Sequence, residues 1–372
     1  MIYLIRPVLF TALALSCIPM GNARTFTLYA GSYTSGSSKG IYAWKFDSAN
    51  GALTPLGLMA EATQPAHLWI APNGRFLYAV DWEKPGAVGA YRIGEHDAHL
   101  TLLNSVPSHG ELPNQVVLDP SGRLAATVNY ASGTLAVYKV GADGRLSEAI
   151  YVDQHEGQPL PGGQPGPRAH GVVFSKNSRL MYVTDLGLDR IYVYEVDAAK
   201  GTLSAAKPAF VSTHGGAGPR RLQLSHDDRF LYVNHETDSE VSVFAVHGST
   251  LTEIQTVSTL PPGTTVHNMT AEIIIDAAGR HLYVSNRGHD SITVFDIERA
   301  NGKLTLAANV PSGGQTPRNI RLDPTGHYLL CANEGSGTIT VLRIADSSGI
   351  PTATATVAQI DKPGGLYFRP VN

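Results

Sequence analysis

The stretch "GRHLYVSNRGHDSITVF", residues 279–295, has the pattern of two β-strands joined by a short turn. Apolar, β-branched and aromatic residues dominate its two ends, and the polar segment "NRGHD" separates them. Such runs, bounded by Gly, Asn and Asp, are typical of a β-hairpin. Arg287 stands where the first strand is predicted to end. The stretch therefore predicts a hairpin that carries a charged side chain at the end of its first strand.

Variants of this stretch recur along the chain. Five other segments share its first eight positions: "GRFLYAVD" from Gly74, "GRLAATVN" from Gly122, "SRLMYVTD" from Ser178, "DRFLYVNH" from Asp228 and "GHYLLCAN" from Gly326. In chain order, the lead residues of the six segments are 48, 56, 50, 51 and 47 residues apart. A repeat of this length, built of short strands and Gly-rich turns, is typical of a four-stranded propeller blade.

The chain ends supply a further blade. Residues 25–47, "TFTLYAGSYTSGSSKGIYAWKFD", have the pattern of later blade strands, and residues 362–370, "KPGGLYFRP", have the pattern of one strand. Pairing both ends in one blade would close the ring and remove its open edges. The prediction is an all-β, seven-bladed β-propeller of four-stranded antiparallel blades, with six blades as the alternative. Residues 24–372 would form this single domain.

The first 23 residues differ from the repeats. One early cation, Arg6, precedes a largely apolar stretch, and Gly21-Asn22-Ala23 follows it. This order is typical of a secretory signal peptide cleaved after Ala23. The alternatives are an uncleaved anchor helix and a misassigned start. The sequence therefore predicts a periplasmic or secreted protein.

Composition excludes several classes of protein. Apolar residues make up 43% of the chain, which is enough for an extensive core. The formal net charge is -3, so the chain lacks the basic character of nucleic-acid-binding proteins. After residue 20 no apolar run reaches the length of a membrane span. The expected partner is a small molecule, with neither nucleic acid nor a membrane span in the mature chain.

The repeat register predicts a site on one rim of the propeller. Positions eight residues before and eight residues after the lead residue belong to the start of the first strand and the end of the second. Antiparallel pairing brings these positions together around the mouth of the central channel. Scaffold positions hardly vary between repeats, whereas these positions do. The predicted site residues are Asn114, Tyr130, His170, Arg220, Glu236, Arg287, Arg318 and Glu334.

This set of side chains suits an anionic or carboxylate-bearing small molecule, because arginine binds carboxylates in bidentate fashion. Among cations His170 should stay neutral and available as a general base. Arg220 should hold Glu236 ionised, so that Glu236 could position a water or take a proton. Arg318 and Glu334 repeat the 16-residue spacing of Arg220 and Glu236. For the second pair a structural salt bridge is as plausible as a role in the site.

No cofactor or metal is expected. The chain contains no Walker loop, no GxGxxG fingerprint and no CxxC pair. Other histidines, at positions 109, 155, 214 and 267, have no compact zinc spacing, which favours solvated or capping roles.

The chain resembles the lactonase family of seven-bladed propellers at "PRAHGVVF" (167–174), "GPRRLQLS" (218–225), "LYVNHE" (231–236) and "LYVSNRGHDSITVF" (282–295). That family includes the propeller-type 6-phosphogluconolactonase and the fungal carboxy-muconate lactonizing enzyme. The resemblance covers about residues 25 to 370. It implies catalytic roles for His170, Arg220, Glu236 and Arg287. The register alone places the other four rim residues, Asn114, Tyr130, Arg318 and Glu334, where they would bind substrate. It also implies that no metal or organic cofactor is needed.

The leading functional hypothesis is hydrolysis of a sugar-type lactone to its aldonic acid. A muconate-type cycloisomerase is an alternative, because the same four residues could hold carboxylates and move a proton. A non-catalytic propeller that binds a partner or carbohydrate at the cell envelope is a third hypothesis.

Overall fold

The computed structural model describes residues 24–370, so the predicted signal segment, 1–23, lies outside the described residues. Within that range the chain forms 28 β-strands and no α-helix. The strands make seven antiparallel sheets of four strands each. The predicted all-β architecture is therefore confirmed. No helix within residues 24–370 is long and apolar enough to cross a membrane.

Each sheet is one blade, and its strands take four positions from the channel outwards. The innermost strands are β4 (Leu68–Ile70), β8 (Pro113–Leu118), β12 (Ala169–Phe174), β16 (Pro219–Leu224), β20 (Met269–Ile275), β24 (Pro317–Leu322) and β28 (Pro363–Phe368). The second strands are β1 (Thr25–Ser32), β5 (Phe76–Asp81), β9 (Leu124–Asn129), β13 (Leu180–Asp185), β17 (Phe230–His235), β21 (His281–Arg287) and β25 (Tyr328–Asn333). The third strands are β2 (Gly40–Asp47), β6 (Ala87–Ile93), β10 (Thr134–Val140), β14 (Arg190–Asp197), β18 (Glu240–His247), β22 (Ser291–Ile297) and β26 (Thr338–Ile344). The outer strands are β3 (Ala52–Glu61), β7 (Leu100–Pro107), β11 (Leu146–Gln154), β15 (Thr202–Ser212), β19 (Thr250–Ser258), β23 (Leu304–Pro311) and β27 (Pro351–Gln359).

The ring closes through a blade shared by the two ends of the chain. The C-terminal strand β28 pairs with β1, and Leu28 lies opposite Phe368. Each innermost strand contacts the innermost strand of the next blade all the way round, including β28 against β4. The predicted seven blades, and the pairing of the chain ends in one of them, are confirmed.

The recurring lead residue is explained by its backbone conformation. All six lead residues have φ between 55° and 76°, in the left-handed region that favours glycine. The amide of each donates to the carbonyl three residues earlier, as Gly122 does to Asp119 at 2.8 Å. This is a tight turn closed by a left-handed residue, as in common three-residue hairpin loops. Four of the six positions are therefore Gly, with Ser178 and Asp228 as the exceptions.

The recurring tyrosine of the second strand ties neighbouring blades together. The hydroxyl of Tyr78 donates to the carbonyl of Gly144 at 2.9 Å, and Tyr283 donates to Gly349 at 2.8 Å. In both cases the acceptor lies in the turn between the third and outer strands of the next blade. These tyrosine rings are fully buried among the apolar residues that fill the space between blades. The repeated "LYV" pattern thus builds the scaffold, which leaves the strand ends on the rim free to vary.

Candidate active site

Four of the eight predicted residues occupy the same irregular position in their blades. In β8, β12, β16 and β24 the pairing with the second strand skips one residue near the start of the innermost strand. The skipped residues are Asn114, His170, Arg220 and Arg318. A β-bulge of this kind leaves one residue out of the ladder and redirects its side chain, and bulges are enriched beside active sites. The repeat register predicted these positions but not the bulge that turns them towards the channel mouth.

The ends of the second strands approach these bulges through a repeated backbone hydrogen bond. The amide of Glu236 donates to the carbonyl of Gly218 at 2.8 Å, two residues before Arg220. The amide of Glu334 donates to Thr316 at 2.9 Å in the same way, two residues before Arg318. This shared geometry explains the 16-residue spacing of the two Arg–Glu pairs.

Glu236 is the centre of the cluster. Its Oε2 atom accepts a 2.6 Å hydrogen bond from Nε of Arg220 and lies 3.0 Å from Nη2 of Arg287. The same oxygen is 3.7 Å from Nε2 of His170. Burial opposes the charge of Glu236, but the two arginines outweigh it and its pKa is lowered. The lowered pKa favours the expected ionised carboxylate, and this side chain contacts all three of the other predicted catalytic residues.

Both arginines are buried. Arg220 is only 2% exposed, and its Nη1 donates to the carbonyl of Ala271. Arg287 is 7% exposed, and its Nη2 also donates to the carbonyl of Thr270 at 2.8 Å. Burial, and then the charge of Arg220, lowers the pKa of Arg287 to about 10. As the sequence predicted, Arg287 is the last residue of its strand, β21, and its side chain is buried there.

The surroundings of His170 favour a neutral imidazole. The side-chain amide nitrogen of Asn114 lies 2.7 Å from Nδ1 and 3.0 Å from Nε2 of the ring. Tyr130 packs against the same ring edge to face, with ring centroids 5.6 Å apart. Burial, followed by the charges of Arg220, Arg221, Arg318 and Arg287, holds the pKa of His170 well below its usual value. The cluster thus places a carboxylate of lowered pKa beside an imidazole of lowered pKa.

Two glycines allow the close contacts of this cluster. A Cβ on Gly171, next to His170, would lie 2.4 Å from the carbonyl oxygen of Arg220, so β12 and β16 could not approach as they do. Gly288 follows Arg287 with φ at 110°, and a Cβ there would lie 2.2 Å from the carbonyl oxygen of His267. Each glycine permits a backbone contact beside a predicted catalytic residue.

The second Arg–Glu pair lies near the cluster but, within the described residues, does not bond to it. Nη1 of Arg318 donates to Oε2 of Glu334 at 3.2 Å, and both side chains are about a quarter exposed. The guanidinium of Arg318 also stacks 5.1 Å over the Tyr33 ring. Among residues 24–370, neither Arg318 nor Glu334 forms a hydrogen bond or ion pair with the four predicted catalytic residues.

A layer of buried polar side chains, which the sequence patterns did not indicate, lies beneath the cluster. Arg221, the second arginine of "GPRRLQLS", donates to the carbonyls of His170 and Asn114, each at 3.1 Å. Its Nε lies 3.8 Å from Oε2 of Glu272, which accepts a 2.7 Å hydrogen bond from Asn319. Burial lowers the pKa of Arg221 to about 10. The doubled arginine of the motif was the signal that could have found this layer.

The innermost strands line a further cavity. A cavity of about 650 Å³ is lined by the later residues of the innermost strands, and Glu272 and Asn319 lie at its border. None of the eight predicted residues lines it.

Two further sequence features have structural roles. His155, expected to be solvated or to cap a turn, is 1% exposed, stacks on Tyr192 at 3.9 Å and bonds Asp185 at 2.7 Å. Residues 36–40, "GSSKG", match the letters of a hydrolase nucleophile elbow but lie between β1 and β2. Ser38 there donates to Ser32 at 2.7 Å.

Known proteins with similar sequences and structures share this fold over nearly its full length. Residues 27–368 match the family described as "Lactonase, 7-bladed beta-propeller". The chain is 32% identical to the 6-phosphogluconolactonase of Bacillus subtilis (strain 168) over 294 residues, which are 78% of this chain and 83% of that protein. It is 31% identical to the 6-phosphogluconolactonase of Pectobacterium carotovorum over 292 residues, 77% of this chain and 82% of that protein.

A solved structure is similar to this chain over most of its length. The periplasmic gluconolactonase of Pseudomonas aeruginosa superposes with a TM-score of 0.89 at 32% identity, covering 94% of this chain and all of that one. Together with the closed seven-bladed ring, these matches establish that this chain belongs to the seven-bladed β-propeller lactonase family.

Proposed function

We propose that this chain hydrolyses a sugar-type lactone to its aldonic acid, with His170, Glu236, Arg220 and Arg287 as the catalytic group. The observation that carries the proposal is the shared oxygen of Glu236, which two buried arginines hold beside a neutral imidazole. The relatives named 6-phosphogluconolactonase and gluconolactonase support the same class of reaction.

The arginines supply the positive charge that the reaction needs. When water attacks the lactone carbonyl, negative charge develops on the carbonyl oxygen. Guanidinium N–H groups of Arg220 and Arg287 that Glu236 leaves unused would donate to this oxygen. A fixed positive charge in a buried site stabilises an oxyanion more than the same charge in water. Asn114, Tyr130, Arg318 and Glu334 would contact the rest of the substrate.

His170 is the general base. Its unprotonated ring nitrogen would take a proton from the attacking water, which replaces the Asn114 amide at that nitrogen. Glu236, 3.7 Å from the ring, would stabilise the resulting imidazolium among the surrounding arginines. When the ring C–O bond of the lactone breaks, the imidazolium would return the proton to the leaving oxygen. The products are a hydroxyl and a carboxylic acid, which releases its proton to solvent.

We also propose that residues 1–23 are removed on export and that the propeller acts in the periplasm. The signal-peptide pattern supports this, and so does the periplasmic relative in Pseudomonas aeruginosa. The first strand begins at Thr25, so cleavage after Ala23 would leave the shared blade complete. An exported enzyme would meet unphosphorylated aldonolactones more often than sugar phosphates.

The experiment is an assay of acid release from glucono-1,5-lactone and from its 6-phosphate, each compared with the rate in buffer alone. Spontaneous opening is already fast, so the expected signal is a rate proportional to protein concentration above that background. Lack of acceleration with every aldonolactone would contradict the proposal. A muconate, whose ultraviolet absorbance falls on cyclisation, tests the cycloisomerase alternative in the same preparation.

A further inference from the structure

Four side chains that could ligate a metal converge on the rim outside the catalytic cluster. They are His214, His235, Asp238 and Glu240, and their ligand atoms all lie within 4.8 Å of one another. His235 ends β17, directly before Glu236, and the two acids lie in the turn to β18 and at its start. His214 comes from the loop that connects the previous blade.

His235 distinguishes this group from an ordinary surface cluster. Its side chain is fully buried, and neither ring nitrogen has a hydrogen-bond partner among residues 24–370. Its Nδ1 faces the other members of the group, 3.4 Å from Oδ2 of Asp238, without forming a proper hydrogen bond. A buried imidazole that lacks partners is unfavourable, and a bound metal ion would satisfy it.

The distances are close to those of a metal site. Tetrahedral ligands at zinc bond lengths are about 3.4 Å apart. The contact between His235 and Asp238 has this length, and Nε2 of His214 lies 3.9 Å from Oε2 of Glu240. His214 is 2.5 Å from Asp238, a hydrogen-bond distance that must open when both become ligands. The His214 side chain is half exposed and has room for this movement.

The surrounding backbone holds the ligands in place. Asp189 accepts hydrogen bonds from the amides of Gly216 and Gly218, each at 2.9 Å, which fixes the loop that carries His214. Oδ1 of Asp238 accepts from the amide of Glu240 at 3.1 Å, so its Oδ2 remains directed at the two histidines. Two imidazoles and two carboxylates suit zinc better than calcium or magnesium, which prefer oxygen ligands alone.

We propose that His214, His235, Asp238 and Glu240 form a divalent-metal site of the zinc class, which ties an inter-blade loop to the hairpin that carries Glu236. This site is independent of the proposed lactonase reaction, because none of the catalytic residues is a ligand. Sequence spacing could not indicate it, since His214 lies 21 residues before His235.

The test is zinc titration of the purified, chelator-treated protein by calorimetry, with melting temperature as the second measurement. We expect one zinc ion per chain and a higher melting temperature with zinc. His214→Ala and Asp238→Asn should each weaken binding by about tenfold or more, in line with the loss of one ligand. His214 is exposed, so its replacement should leave the fold intact. Bound Co²⁺ should show the visible absorption of a site with four or five ligands, and this signal should disappear in both variants.

The matched control is His327→Ala, since His327 forms an exposed pair with Asp346 at 3.2 Å but belongs to no group of three or more possible ligands within residues 24–370. It should bind zinc like the unmodified protein. Absence of stoichiometric binding, or equal loss in the control and in the two ligand variants, would overturn the proposal. The proposed lactonase activity would be unaffected by that result.

Discussion

Nε of Arg220 donates a 2.6 Å hydrogen bond to Oε2 of Glu236, and the two side chains are only 2% and 15% exposed. Arg318 and Glu334 occupy the equivalent positions two blades further along the ring, at 3.2 Å and about a quarter exposed. Two pairs with the same spacing therefore have different environments. This contrast provides an internal control for the role of the buried pair.

Glu236→Gln should lower kcat/KM by about a hundredfold, because the imidazolium loses its counter-charge. It should also destabilise the fold by about 3 kcal/mol, since two buried arginines lose their shared carboxylate. Glu334→Gln is the matched control for stability and should cost less than about 1 kcal/mol, because its ion pair is more exposed to water. Steady-state kinetics and urea unfolding of both variants measure these effects. Equal losses of stability in the two variants, or an unchanged kcat/KM in Glu236→Gln, would show that the pair at Glu236 has no special role.

Arg287→Ala should reduce kcat/KM by about a hundredfold to a thousandfold, the range for loss of one oxyanion donor. Because the side chain is buried and bonds Thr270, some stability should also be lost, about 1–3 kcal/mol. Activity per folded molecule separates the two effects. If the variant is destabilised but each folded molecule keeps full activity, Arg287 is structural.

The pH dependence of kcat/KM should report the neutral form of His170. Burial and the nearby arginines keep its pKa well below the usual value near 6.5. The base is active when unprotonated, so activity should rise with pH through this lowered pKa and be level above about pH 6.5. The same shift means that the unfolded state binds more protons below pH 6.5, so stability should fall as the pH drops from there.

A variant of His170 tests whether this residue is the group that titrates in both the activity and the stability profiles. His170→Asn should remove the acid limb of the activity profile and weaken the loss of stability below pH 6.5. An acid limb centred above pH 6.5 in the unmodified protein would mean that another group is titrating.

The fold could be predicted from the sequence because each blade repeats the same local signals. A left-handed turn residue, usually Gly, and a buried strand with Tyr recur at a nearly constant period, and both have physical causes that act within one blade or between neighbours. The joined chain ends followed from the need to leave no open sheet edge.

The site was only partly accessible to the same reasoning. Register identified which residues reach the rim, but it could not tell that Arg220 and Arg287 share one oxygen of Glu236 while Arg318 does not. It also missed Arg221, whose contacts reach His170 and Asn114 across three blades. Contacts of this kind depend on the direction of side chains at bulges and on their burial. The order of residues along the repeats does not specify either.

N-terminal sequencing of the native protein tests the proposed export. We expect the mature chain to begin at Arg24 and to fractionate with the periplasm. A protein that starts at Met1 and stays in the cytosol would contradict export, and it would make the 6-phosphate the favoured substrate. Comparing kcat/KM for glucono-1,5-lactone and its 6-phosphate checks the same point independently.

The role of His170 as general base is tested most directly by proton release from glucono-1,5-lactone, followed in a pH-stat with the unmodified protein and with His170→Ala. We expect a rate above the buffer background that falls by about 10²- to 10⁴-fold in the variant, the usual contribution of a general base. Circular dichroism must show that the variant keeps the propeller. A folded His170→Ala protein that hydrolyses the lactone at the unmodified rate would contradict the proposed site.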